Sequence, residues 1–495
     1  MADITKRELL VAGGLAAAAA PALAQAPMTS GAPFVTRHSG VFGGKPVDYV
    51  ATVGETLVFG ADGRPTVRFV TTSYVAPGAA PATRPVLFVF NGGPSAASAT
   101  LHMVALGPKR ILVTQDPTAP ATPPSMSDNP LTVLDVADLV FVDPAETGFS
   151  RILPAGQKAY FYSAKGDAQS VSDFIVAWVK ANGREASPKY VLGESYGTIR
   201  AALMAGQLAK VMPLDGVFLF GQAVNMIETS QRAKNALAYA TNIAALAAIA
   251  AYHGKAPALH GKSPAAITDE TYAWGMGEYL QALVRGADLP TADRRKIADK
   301  LQGFTGIGAD YYLAHDLAIT KVAFAAELLK DSAGVLAIYD ARYVGRSHAP
   351  GQDPVDGMAG MFKAIPLMMK RYLVENLGVS WPVSDYRGAA PVDEGAWTWD
   401  GTLGPGGPFL DYDYQARLSE AFRANPKFRL MIGNGYYDLT TTIGPARYLV
   451  TRSDYPRNRV IARQYVGGHA AYTYEPTLRA FTDDIRAWVT GQRVA

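Results

Sequence analysis

Tyr190-Val191-Leu192-Gly193-Glu194-Ser195-Tyr196-Gly197-Thr198 is the stretch on which the fold turns. Its first three residues form a short apolar strand, and residues 198–211 after it read as a helix. Gly193-Glu194-Ser195-Tyr196-Gly197 therefore stands where a buried strand turns sharply into a helix, the setting of a nucleophile elbow. A serine there projects its hydroxyl from strained backbone, and the flanking glycines let strand and helix close around it. The pattern alone also fits a serine in an ordinary strand-to-helix turn, so its surroundings have to decide.

Outward from the elbow, the apolar runs 85–90, 138–142, 190–192 and 216–220 alternate with helix-like segments such as 170–180 and 198–211. Buried parallel strands with crossover helices are the natural reading. Before them, residues 47–76 alternate apolar and polar around an Ala61-Asp62-Gly63-Arg64-Pro65 turn, an antiparallel entry to the sheet. The runs 428–432 and 460–465 resume the strand rhythm after an Ala- and Met-rich helical interval at 222–377. The predicted architecture is an α/β-hydrolase fold, a mostly parallel central sheet with helices on both faces. Its core spans 28–221 and 378–495, and 222–377 is inserted as a helical lid over the strand ends where such folds keep their active sites. The Pro/Thr/Ser-rich stretch 114–127 reads as a surface loop.

A serine nucleophile needs a base. Of the seven histidines only His469, in Val466-Gly467-Gly468-His469, lies beyond the insertion and follows an apolar strand. His38 precedes the sheet, His102 sits in a helix-like run, and His253, His260, His315 and His348 fall within the insertion, where structural or surface roles are expected. Between nucleophile and base, Gly433-Asn434-Gly435-Tyr436-Tyr437-Asp438 follows a strand and offers Asp438 to orient the imidazole; a turn role, or Asp411 or Asp413 as the acid, are the alternatives. The order Ser195, Asp438, His469 is that of α/β-hydrolases. For the oxyanion, the backbone N–H of Tyr196 and that of Gly93, in Asn91-Gly92-Gly93-Pro94 after the strand 85–90, are the candidate donors.

Composition excludes other chemistries. The chain has 495 residues, 49% hydrophobic and 18% charged, enough to bury a large core. With 46 basic and 43 acidic residues spread along it and a net +3, nucleic acid is not an expected partner. There is no cysteine, which removes disulfides, thiolate nucleophiles and thiolate ligands together. Helix-spaced His and carboxylate ligands are lacking as well, so neither a metal nor another cofactor is expected. At the N-terminus, Lys6-Arg7 precedes an apolar stretch ending in Ala22-Leu23-Ala24, which reads as a signal peptide over 1–24. That stretch falls short of the roughly 20 apolar residues of a spanning helix, so export to the periplasm or medium is expected without a stable membrane anchor.

Several motifs together resemble the serine carboxypeptidases, the S10 peptidases: Asn91-Gly92-Gly93-Pro94, Leu106-Gly107-Pro108, Asn129-Pro130, Thr147-Gly148-Phe149-Ser150, the elbow, Asp438 in its Gly-rich loop, and Gly468-His469. The resemblance implies that Ser195, Asp438 and His469 form the triad and that Gly93 and Tyr196 supply the oxyanion hole. It also implies that Asn91 and Glu194 hold the free C-terminal carboxylate of a peptide substrate, Glu194 in its protonated form. An esterase, amidase or acyltransferase would use the same triad, and a non-catalytic binding protein is the remaining class. Three departures stand out. Ser95-Ala96-Ala97-Ser98 replaces the family's Gly-x-Ser-Ser, Ala145-Glu146-Thr147-Gly148 replaces Val-Gly-Thr-Gly, and Ala105 occupies the place of the second carboxylate-binding glutamate. Without that second carboxyl, Glu194 is expected to ionise at lower pH than in a paired site. His102, Lys109 and Arg110 are possible electrostatic substitutes, with solvated or core roles as the alternative. Met358, Met361, Met368, Met369, Trp381, Trp397 and Trp399 offer apolar lining or packing.

Overall fold

The computed structural model describes residues 31–78, 80–118, 123–346, 357–393, 395–399 and 413–494. The expected signal at 1–24, His348 and Asp411 lie outside the described residues. Among the described residues no helix is long and apolar enough to cross a membrane.

Among the described residues nine strands run along the path of a ten-stranded sheet: β1 (Phe34–Phe42), β2 (Lys45–Phe59), β3 (Pro65–Val75), β4 (Val86–Phe90), β5 (Asp138–Val142), β6 (Lys189–Glu194), β7 (Gly216–Phe220), β8 (Arg429–Gly435) and β9 (Val460–Tyr465). Their spatial order is β1-β2-β3-β5-β4-β6-β7-β8-β9, with the short strand Arg151–Ile152 pairing on β3. The first three are antiparallel; β2 and β3 form the antiparallel entry expected over 47–76, β1 adds a strand before it, and β3 pairs antiparallel with β5. From β5 to β9 every pairing is parallel. This is the sheet of an α/β-hydrolase, with β4 reached by crossing over β5.

The period of two along each strand divides the core. In β4, Leu87 and Val89 enter one apolar cluster and Val86, Phe88 and Phe90 the other, on the opposite face. Helices Ala164–Ala181 and Tyr196–Leu208 cover the second face, while Ala359–Glu375 and Glu475–Val489 cover the first. Helix Ala359–Glu375, read from sequence as part of the insertion, sends Ile365, Met368, Met369, Tyr372 and Leu373 into the sheet's own core. The rest of the helical interval, including Ala236–Tyr252 and Thr291–Thr305, packs about a third cluster that also takes in Tyr436, Tyr437, Leu439 and Ile443 from beyond β8. A two-stranded hairpin, Gly334–Leu336 with Val344–Arg346, interrupts the helices.

Register aligns the carboxyl ends of the central strands. Phe90 is level with Gly193, Glu194 with Phe220, and Phe220 with Gly433, while Gly435 is level with Tyr465. The loops holding Asn91, Ser195, Asp438 and His469 thus leave one edge of the sheet side by side.

Candidate active site

Ser195 joins β6 to helix Tyr196–Leu208 with φ 58° and ψ −129°. A non-glycine residue there is strained by about 1–3 kcal/mol and persists only where its surroundings fix it. They do so here: Ser195 N–H donates to Phe220 O at 3.0 Å, and Ser195 O accepts from Thr198 N at 2.8 Å and Thr198 Oγ1 at 2.7 Å. The glycines are required by contact, since a Cβ on Gly193 would strike the Gly197 carbonyl and one on Gly197 would lie 3.0 Å from Asn91 O. This is the backbone geometry expected of a nucleophile elbow.

The imidazole of His469 is buried with Nδ1 donating to Asp438 Oδ2 at 2.8 Å. That fixes the tautomer and leaves Nε2 as the basic nitrogen. The ring packs over Gly221, where a Cβ would come within 3.0 Å of His469 Cε1. Gly221 follows Phe220, the residue bonded to Ser195 N, so the ring stands beside the elbow. Among the described residues no hydrogen bond joins Ser195 Oγ to the ring; such bonds are commonly long before substrate binds. Asp438 is fully buried yet richly bonded: Oδ1 accepts from Thr440 N at 2.6 Å, Thr440 Oγ1 at 2.5 Å and Thr441 N at 3.1 Å, and Oδ2 from Thr441 Oγ1 at 2.7 Å. Burial pushes its pKa up, but the histidine and these donors outweigh it and hold Asp438 below the usual carboxylate range. Burial pushes His469 down; Asp438, and more weakly Glu194, raise it above the ordinary imidazole value. Asp413 caps a helix, accepting from Ala416 N at 3.1 Å.

Gly93 has φ +109°, and a Cβ on its neighbour Gly92 would sit 2.5 Å from both Glu194 O and Tyr196 N. The loop after β4 therefore presses against the elbow, with Gly92 against the Tyr196 backbone and Gly93 the next residue along. Asn91 Nδ2 donates to Glu194 Oε2, and Asn91 Oδ1 accepts from Leu101 N at 3.0 Å. Glu194 is only 3% exposed. Burial raises its pKa to about 7, with Asp438 adding to the rise and His469, Tyr472 and Asn91 opposing it. Burial thus supplies an upward push that does not depend on a second carboxyl at position 105.

Two features escaped the sequence reading. Tyr472, three residues past His469, is buried with its hydroxyl on Glu194, and its turn packs against the helical turn Leu101–Leu106 that contains Ala105. Arg200, fully buried in the elbow helix, donates through Nε to Asp167 Oδ2 at 2.7 Å and through Nη1 to Asn91 O at 2.9 Å, while Tyr196 Oη donates to the same Asp167 oxygen at 2.9 Å. The available signal was an arginine one turn after Tyr196 in an otherwise apolar helix.

The proposed substitutes for the second glutamate are engaged elsewhere. His102 stacks on Phe141 at 4.0 Å, bonds Tyr74 Oη at 2.7 Å and is pushed by burial to about 3, so it is a neutral core residue. Lys109 pairs with Asp128 at 2.6 Å, and Arg110 with Glu475. Glu146, in the departing loop, pairs with Arg387 and accepts from Ile152 N at 2.8 Å. Trp397 and Trp399 meet the Tyr196 ring edge-on at 5.2 and 5.9 Å.

Residues 73–212 match the family model described as serine carboxypeptidase. No curated protein matches in sequence. Solved structures similar to the chain include a proline iminopeptidase from Mycobacterium smegmatis, at 16% identity over 88% of this chain and 98% of that one with a TM-score of 0.35. An epoxide hydrolase mutant from Aspergillus niger is 12% identical over 90% and 79% of the two chains, TM-score 0.36. A peroxisomal α/β-hydrolase from Saccharomyces cerevisiae is 8% identical over 94% and 92%, TM-score 0.34.

Proposed function

We propose that this chain, whose residues 73–212 match the family model described as serine carboxypeptidase, is a serine hydrolase of that kind and removes C-terminal residues from peptides through an acyl-enzyme on Ser195. The reading rests on one observation above the others: a buried His469–Asp438 bond at 2.8 Å beside a serine held at φ 58°. Ser195 Oγ attacks the scissile carbonyl as His469 Nε2 takes its proton, and Gly93 N–H and Tyr196 N–H receive the oxyanion. His469 returns the proton to the leaving amine, and a water activated by the same nitrogen then releases the acyl group. Asn91 and a protonated Glu194 would hold the substrate's carboxylate; a Glu194 raised to about 7 is protonated in acid, as that role requires. We further propose that residues 1–24 direct export to the periplasm or medium.

A second reading, an esterase, amidase or acyltransferase on the same triad, is favoured by one fact. Both Glu194 oxygens are already bonded, to Asn91 and Tyr472, in a residue 3% exposed. N-blocked dipeptides with a free, an amidated or an esterified C-terminus separate the two. Preferential turnover of the free acid supports the carboxypeptidase; indifference to the free carboxylate would overturn it in favour of the second reading.

A further inference from the structure

After the helical cluster the chain returns to the triad as residues 338–342. On one side of this segment lies the acid loop: Leu439 N donates to Ile338 O at 3.0 Å and Ala341 N to Tyr437 O at 2.9 Å. On the other lies the base loop: His469 N donates to Tyr339 O at 2.5 Å and Gly468 N to Asp340 Oδ2 at 2.9 Å. Four residues of the insertion are thus bonded, Ile338 and Ala341 to the neighbours of Asp438 and Tyr339 and Asp340 to His469 and Gly468. The approach is so close that a Cβ on Gly468 would overlap Tyr339 O and Asp340 Cα, and the Tyr339 ring lies 5.4 Å from the imidazole.

Asp340 carries the charge of this segment. It is buried and gripped by Arg342, whose Nη2 reaches Oδ2 at 2.6 Å and whose Nε reaches Oδ1 at 2.9 Å. The Arg342 guanidinium in turn covers the rings of Tyr437, next to the acid, at 5.6 Å and Tyr474, past the base, at 5.4 Å. A buried ion pair is weak grounds for stability, because desolvation offsets most of its attraction. Its geometric effect is plain, since one carboxylate oxygen receives both the guanidinium and the N–H adjoining His469.

We infer that Asp340, oriented by Arg342, is a positioning residue that sets the spacing of Asp438 and His469 through Gly468, so that the insertion belongs to the catalytic framework as well as to the cover of the site. This rests on the triad reading above. A misplacement of a reacting group by about 1 Å can cost about a hundredfold.

The test compares wild type, Asp340→Ala and Asp340→Asn/Arg342→Met, the last keeping an acceptor for Gly468 N–H without stranding a buried cation. Three quantities are read: the rate of Ser195 labelling by a fluorophosphonate, the downfield proton resonance of His469 Nδ1–H, and kcat and KM on an ester. Asp340→Ala should slow labelling and kcat by about a hundredfold with KM little changed, and broaden or lose the resonance. The double variant should recover labelling to within about tenfold of wild type. A folded Asp340→Ala protein with wild-type labelling and resonance overturns the inference; should that variant not fold, a folded double variant as inactive as a Ser195→Ala control overturns it. Absence of labelling in wild type would instead overturn the triad reading, while the resonance, which needs no reactive serine, still decides the role of Asp340.

Discussion

Tyr472 Oη donates to Glu194 Oε1 at 2.8 Å, three residues beyond the candidate base and beside the helical turn where Ala105 stands in for a glutamate. A neutral donor therefore faces Glu194 where the family resemblance implies a second acid nearby. A carboxylate gains more from a donor than a carboxylic acid does, so this bond favours the ionised form and works against the burial that raises Glu194.

Removing that donor has a signed consequence. With Phe at 472, Glu194 loses stabilisation of its charged form, while His469, Asp438 and Asn91 still face it. Its pKa rises further, and turnover of free-acid dipeptides, which needs the protonated form, extends to higher pH than in wild type. The measurement is the alkaline limb of kcat/KM for an N-blocked dipeptide; movement of that limb toward acid would contradict the assigned donor.

Ester substrates should behave differently. His469 must be neutral to act, and its pKa is raised, so ester hydrolysis climbs as pH passes through a value above the ordinary imidazole range and is lost below it. On the proposed carboxypeptidase reading, peptide hydrolysis needs neutral His469 and protonated Glu194 together, and burial raises Glu194 to about 7. The peptide profile is therefore a narrow bell and the ester profile a single rise. The apparent values belong to the coupled pair, because each group lies in the other's field. Glu194→Gln, which cannot ionise, should flatten the alkaline limb for peptides and leave the ester profile a single rise, moved toward lower pH because Glu194 no longer raises His469.

Ser195→Ala and His469→Ala should each remove nearly all turnover, with the double variant little worse, because the two act as one unit. Asp438→Asn should fold and lose about 10⁴ in kcat by presenting the wrong imidazole tautomer. Additive losses in the serine–histidine double variant, or an active Asp438→Asn enzyme, would move the chemistry elsewhere.

What the sequence could and could not convey follows from the range of the interactions. The strands, the elbow and the order Ser195, Asp438, His469 are local patterns, each legible from a few neighbouring residues and a period of two or 3.6. Helix Ala359–Glu375 was recognisable as a helix, but its membership in the sheet's core depends on contacts with residues hundreds of positions away. Tyr472 and Asp340 were illegible for the same reason. A tyrosine after a histidine and an acid in a hairpin have ordinary local explanations, and only the fold brings them to Glu194 and Gly468.

Arg200 gives the sharpest stability prediction. Its guanidinium joins three parts of the site: Asp167 from the preceding helix, the Asn91 carbonyl beside the oxyanion loop, and the faces of Phe90 and Tyr196 at 5.0 and 5.2 Å. Asp167 is itself buried and also accepts from Tyr196 Oη at 2.9 Å. Truncation to alanine would strand a buried carboxylate and an unpaired carbonyl and leave a cavity under the elbow. Breaking a buried pair from one side costs about 3–5 kcal/mol. Arg200→Ala should show that loss in denaturant unfolding, whereas Arg200→Met with Asp167→Asn, which removes both charges and keeps the volume, should recover much of it. Equal losses in the two variants would mean that shape, and not the stranded charge, sets the cost. Activity separates the roles again: if Asn91 and Tyr196 depend on Arg200 for their placement, the stability-restored double variant should still turn over ester more slowly than wild type, through kcat and with KM little changed.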